Sequence, residues 1–172
     1  MPRTSPDVSQ RILIAGIGDI FLGDDGFGCE VVRHLEDLGA WPGVRVLDYG
    51  IRGTHLTYDL LDGWGLLVLV DALPDRGEPG RVEVLELDPR AAGSGGLDAH
   101  GMDPMAVLSG VTALGGSLPR TYLVGAQVLD TDERIGLSDP MAAAVGVAAS
   151  ALRELVRNHL TTLPISTAER VG

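Results

Sequence analysis

Residues Leu66–Val70, Leu-Leu-Val-Leu-Val, form an apolar run with no alternation, and Asp71 ends it. A strand that is apolar at every position must be covered on both faces, which is the situation of a parallel strand inside an α/β sheet. Arg11–Ala15 and Val44–Leu47 are two further short apolar runs, and each is followed by a segment of helical spacing. Phe27, Val31, Leu35 and Leu38 form one helix face, with Gly39 placed to end it. Thr54–Leu61 reads as a second helix. Val82–Leu87 does alternate and is expected to be a half-exposed, antiparallel edge strand. Asp103-Pro104 is an N-cap with Pro at the first helical position, opening a helix to about Leu114. Thr121–Val128 is the last strand. Asp139-Pro140 repeats the cap signature before a long helix with Met141, Val145, Ala148, Leu152 and Leu155 as its buried stripe.

Strands alternating with helices predict an α/β fold, a three-layer α/β/α sandwich with a mostly parallel sheet of about five strands. The expected division is a disordered lead-in over 1–10, one domain over 11–160 and a flexible tail over 161–172. In such sheets ligands sit beyond the carboxyl ends of the strands, where strand order reverses. With a flavodoxin-like order, the ends of the first and third strands flank that crevice.

Composition narrows the function. The chain carries 24 Asp and Glu against 13 Lys and Arg, a formal charge of −11, which argues against a nucleic-acid partner. One cysteine excludes an internal disulfide and a cysteine-based zinc cluster. No apolar run reaches the ~20 residues of a membrane span, and the first ten residues do not resemble a signal peptide. A cytoplasmic protein without a membrane partner is therefore expected.

Two acidic features fall at the predicted crevice. One is the glycine-rich loop Gly16–Gly28 with Asp19, Asp24 and Asp25; the other is Asp71. A carboxylate closing an apolar strand is costly to bury unless paired or coordinated, although Asp71 could equally cap a turn. Either member of Asp24-Asp25 can cap the helix that follows, which leaves the other spare. Four histidines are available. His34 lies in a charged helical stretch, His159 suits a helix end, and His100 and His55 are left as candidates. Two carboxylates and an imidazole would suit a borderline divalent ion with coordination positions left open.

Competing motifs fit less well. Gly16-Ile-Gly with Asp48 offers part of a dinucleotide fingerprint, but position 21 is Phe instead of the third glycine, and the loop carboxylates oppose a pyrophosphate. A P-loop and a Gly-x-Ser-x-Gly elbow are both missing from the sequence. Cys29, one turn into the first helix, reads as a small core residue, with a lowered pKa and a nucleophilic role as the alternative.

The loop Gly16-Ile-Gly-Asp-Ile-Phe-Leu-Gly-Asp-Asp-Gly-Phe-Gly resembles the opening motif of the [NiFe]-hydrogenase maturation endopeptidases. Leu47-Asp-Tyr-Gly, Leu69-Val-Asp-Ala and Ile135-Gly-Leu-Ser resemble later motifs of that family in the same order, so the likeness runs from about Arg11 to Leu160. It implies an α/β/α peptidase that trims the C-terminus of a hydrogenase large-subunit precursor. It also implies that Asp25, Asp71 and His100 contact metal, with Asp25 and Asp71 the catalytic carboxylates and no assignment of the base. The metal implied is nickel carried by the substrate, with no organic cofactor. Gly50 and Gly53 are expected to let substrate backbone approach, or to be simple turn residues. This chain departs from the family in having Asp19 where Asn is usual, and Gln127-Val128 where an acidic residue and Pro are frequent.

Overall fold

The computed structural model describes residues 6–88 and 103–163. Five strands form one sheet: β1 (Ile12–Ile17), β2 (Val44–Gly50), β3 (Leu66–Leu73), β4 (Val82–Leu87) and β5 (Arg120–Gln127). Their spatial order is β2-β1-β3-β5-β4. All neighbours are parallel except β4, which pairs antiparallel with β5 at the edge. The helices are α1 (Phe27–Arg33), α2 (Gly53–Leu60), α3 (Pro104–Ala113) and α4 (Asp139–Thr162). The α/β sandwich expected from the apolar runs is the one observed.

Alternation along the strands explains the three layers. Ile12, Ile14, Val68, Val70, Val124 and Ala126 point to one face and pack with α1 and α4. Leu13, Ala15, Ile17, Leu67, Leu69 and Leu123 point to the other and pack with α2 and α3. Each central strand thus buries both of its faces, which is why its sequence shows no polar alternation. The stripe of α4 consists of Met141, Ala144, Ala148, Ala149, Leu152 and Val156. Val145 and Leu155, expected in that stripe, are only partly buried at its margin.

Several boundaries differ from expectation. α1 ends at Arg33, so Gly39 does not terminate it. The chain keeps turning through tighter bonds, from Leu35 N to Val32 O and from Leu38 N to Leu35 O, and Leu35 and Leu38 are buried all the same. Periodicity recorded their burial and not the helix type that achieves it. Asp103 does cap α3, accepting from Met105 N at 2.9 Å. At α4 the N-cap is Ser138, with Asp139 and Pro140 already inside the first turn. Residues Val8–Gln10, expected within a disordered lead-in, form a 3-10 turn. His159 Nε2 lies 2.9 Å from Ser9 O, which ties that turn to α4. No helix among the described residues is long and apolar enough to cross a membrane.

Gln127-Val128 also has a structural account. The Gln127 side chain accepts from Arg76 N and Glu78 N and donates to Glu83, pinning the segment that leads into β4. Val128 N donates to Leu73 O at 2.9 Å, a bond that Pro could not make.

α1 lies close to the sheet because its second residue is glycine. A Cβ on Gly28 would stand 2.0 Å from Val70 O and 2.4 Å from Ile17 O, both backbone atoms that cannot rotate away. Gly28→Ala is therefore expected to cost about 3 kcal/mol or more, read as a shift in the urea midpoint. The control Gly39→Ala, whose Cβ meets nothing within 4 Å, should stay within about 0.5 kcal/mol of the parent. Equal effects at the two positions would sink this account of the packing.

Candidate functional site

β1 is flanked by β2 and β3, and it leaves the sheet before β3 does. Its pairing with β3 stops at Gly16 opposite Val70, whereas β3 continues to Leu73 against β5 alone. A fork opens there, at the carboxyl ends of β1 and β3, and Asp71 stands in it inside the strand and not after it. Asp71 is opposite Gly125 of β5. A Cβ at Gly125 would come within 2.8 Å of Asp71 O and 2.6 Å of the Leu73 side chain, so glycine is required there.

The other lip is the glycine-rich loop. Gly18 has φ +136°, and a Cβ on it would lie 2.0 Å from Asp25 O. Its N–H donates to Gly50 O at 3.0 Å, and the next amide, Asp19 N, donates to Asp25 Oδ2 at 2.8 Å. The loop thus folds back on itself and holds the Asp25 carboxylate at the mouth of the fork. Asp19 accepts from Phe21 N at 2.9 Å in a local turn, a role that the carbonyl oxygen of an Asn performs equally well. These bonds also answer the dinucleotide alternative. The amides of Gly18 and Asp19 already have acceptors, and Asp48 is taken up by Gly50 N and Arg33.

The two carboxylates feel one another. Burial lifts the Asp71 carboxyl well above the usual carboxylate range, the N–H of Ala72 opposes this, and the negative charge of Asp25 raises it further. Like charges that share a site cannot both ionise cheaply. The site therefore favours the protonated form of Asp71, and carboxylate oxygens are donors that a divalent metal could use.

The third expected ligand, His100, lies outside the described residues. His55 does not replace it. It is exposed and lines a separate groove of about 300 Å³ with Asp48, Arg52 and Asp59. Among the described residues no three His, Cys, Asp or Glu side chains converge as a metal site. Gly50 adopts φ +56° and its carbonyl receives the Gly18 amide, so glycine is needed for the turn itself. Gly53 begins α2 and lines a groove of about 430 Å³ with Ile51, Tyr58 and Val107.

Asp24 departs most from expectation. It caps no helix: the N-cap of α1 is Gly26 without a side-chain bond. Asp24 is fully buried and accepts four hydrogen bonds from the segment after β5. Leu129 N, Asp130 N and the Ser138 hydroxyl bind Oδ2, and Ser138 N binds Oδ1 at 2.7 Å. Arg134 adds an ion pair at 3.5 Å and also pairs with Asp130. Burial alone would raise the Asp24 pKa, but the bonds from Ser138, Leu129 and Asp130 outweigh it and hold the carboxyl below its ordinary 3.8. The partners lie 105–114 residues away in sequence, so no local pattern announces them.

Cys29 is fully buried with its thiol 3.6 Å from Gly18 O. Burial, with the neighbouring Asp48 adding to it, pushes the thiol up to about 12. A helix start that lowers a cysteine pKa does not prevail here, and the nucleophilic alternative falls away.

Known proteins resemble this chain in sequence and in fold. A family model described as hydrogenase maturation protease matches residues 29–154. The hydrogenase expression/formation protein HupD of Bradyrhizobium diazoefficiens is 31% identical over 99% of this chain and 92% of its own length. A putative hydrogenase maturation protease of Methanocaldococcus jannaschii is 32% identical over 79% of this chain and 90% of its own. Among solved structures, the hydrogenase maturating endopeptidase HybD from E. coli superposes with a TM-score of 0.74 at 27% identity, covering 86% of this chain and 93% of that one. The [NiFe] hydrogenase maturation protease HycI from Thermococcus kodakarensis gives 0.70 at 27%, over 87% and 94%.

Two outcomes follow. Asn at position 24 keeps the size, but whichever way its amide turns, an NH₂ faces donors. Asp24→Asn should lose about 2–4 kcal/mol in urea unfolding. Because the folded pKa is depressed, the wild-type bonus is present above the ordinary 3.8 and fades as pH falls through the lower folded value. The variant should lack that acid-sensitive part, and a parallel pH curve for both proteins would refute the assignment. Cys29 should resist thiol reagents at neutral pH until the chain unfolds; rapid native labelling would contradict its burial.

Proposed function

The chain belongs to the hydrogenase maturation protease family, whose members are peptidase hydrolases, and from that premise we propose that it removes the C-terminal extension of a [NiFe]-hydrogenase large-subunit precursor once nickel is in place. The observation that carries this reading is the placement of two carboxylates at one fork: Asp71 stands in β3 where β1 has left it, and Asp25 is held by the Asp19 amide on the loop that leaves β1. Two carboxylates held in each other's field are poised for a divalent cation, and a precursor that arrives already loaded brings one. The nickel is thus part of the substrate, and contact with it reports that loading is complete. Asp25, Asp71 and His100 are the residues that hold it.

The chemistry left to the chain is short. Metal contact fixes the precursor so that its scissile carbonyl lies beside the fork. Water adds to that carbonyl carbon, one of the two carboxylates takes the proton, and the proton passes to the departing amine. Gly50 and Gly53, at the end of β2 and the start of α2, border the approach of the substrate backbone. The reaction takes place in the cytoplasm, without an organic cofactor.

The test is incubation with a nickel-loaded precursor while the mass of its C-terminus is followed. Peptide release is expected from the parent protein, and a fall of at least about 100-fold is expected in each of Asp25→Asn, Asp71→Asn and His100→Ala. Precursor prepared without nickel should stay intact. Cleavage of that nickel-free precursor at the normal rate would refute the sensing role, and no release from the loaded one would refute the protease assignment for this substrate.

A further inference from the structure

The latch around Asp24 holds a loop pair whose outer surface is apolar. Leu22 and Arg134 form an isolated parallel bridge, with Gly23 N donating to Arg134 O and Arg134 N to Phe21 O. The two loops are therefore joined by backbone as well as by Asp24. They display Phe21, Leu129 and Ile135, which are 59%, 49% and 76% exposed. Asp132 and Glu133, also exposed, lie on the same loop pair, and the exposed Asp139 follows in the first turn of α4. The one cation there, Arg134, is drawn inward to Asp24 and Asp130.

Exposed large apolar side chains on a rigidly held loop are a poor solution for folding and a good one for binding. We propose that this loop pair is the docking surface for the body of the protein substrate, and that the substrate face it meets is apolar and bordered by Lys and Arg. The inference rests on the protease reading above. Two observations select this occupant. The surface is continuous with the fork, since Phe21 N binds Asp19 and Asp19 N binds Asp25. Its exposed acidic side chains are not offset by Arg134, which is paired with Asp24 and Asp130, and they are set on a chain of formal charge −11, which favours a basic counterpart and repels an acidic one. A partner seated on Phe21 and Ile135 would therefore bring its scissile segment to the carboxylates.

The experiment measures both binding of the precursor, by titration calorimetry, and the KM and kcat of peptide release. Ile135→Asp and the pair Phe21→Ser with Leu129→Ser should weaken binding about tenfold or more, the loss falling on KM. Asp132→Lys with Glu133→Lys should slow association and flatten its dependence on ionic strength. If an apolar variant fails to fold, as judged by its thermal midpoint, the charge-reversed pair carries the test. Wild-type binding, KM and salt dependence in well-folded variants would overturn the docking surface and leave the protease reading intact. Binding that the variants weaken, without cleavage by the parent, would overturn the protease reading and keep the surface. A parent protein that neither binds nor cleaves the precursor would overturn both.

Discussion

Asp24 gives up its water to accept four hydrogen bonds from a segment more than a hundred residues away. Burying a carboxylate is favourable only when its lone pairs are met so completely, and here the return is positional. The bonds fix the start of α4 through Ser138, the course of the chain after β5, and the turn that carries Asp25 into the fork. Asp24 and Asp25 are neighbours in sequence with opposite duties. One is spent on architecture, and its environment stabilises the charge. The other stands beside Asp71, whose carboxyl pKa is raised by burial and further by that neighbouring charge.

That contrast shows what the sequence could and could not disclose. The unbroken apolar run before Asp71 and the alternation of Val82–Leu87 follow from how many faces a strand buries, so the sheet and its antiparallel edge were legible. The rule that ligands sit beyond the strand ends where strand order reverses then pointed to Asp25 and Asp71 without any motif. The roles within Asp24-Asp25 were half legible. A doubled carboxylate signals that one cap is not the whole story, but the partners of Asp24 come from a loop whose approach no local pattern encodes. The helix ends were misread for a related reason. Leu35 and Leu38 are buried by successive tight turns as well as they would be by a continued helix, and Asp139-Pro140 suits the first turn of α4 as well as it suits a cap.

The family resemblance contributed what spacing could not. His100 stands out among the histidines only through that likeness, whereas His55, the residue-level competitor, is exposed, lines a groove with Asp48, Arg52 and Asp59, and joins no metal-binding cluster among the described residues. The departures from the family pattern are accommodated by this chain's own bonds. Asp19 keeps its local turn, and Val128 adds a rung between β3 and β5 that a proline would forgo.

Gly28 has a consequence beyond packing. Because α1 rests on Val70 O and Ile17 O through bare backbone, the spacing between its first turn and β3 is set by a hard steric stop. The carboxylates on either side inherit that spacing; they do not choose it. Under the reading proposed above, an ion would meet carboxylates whose spacing follows from backbone contact at Gly28 instead of from the reach of flexible side chains.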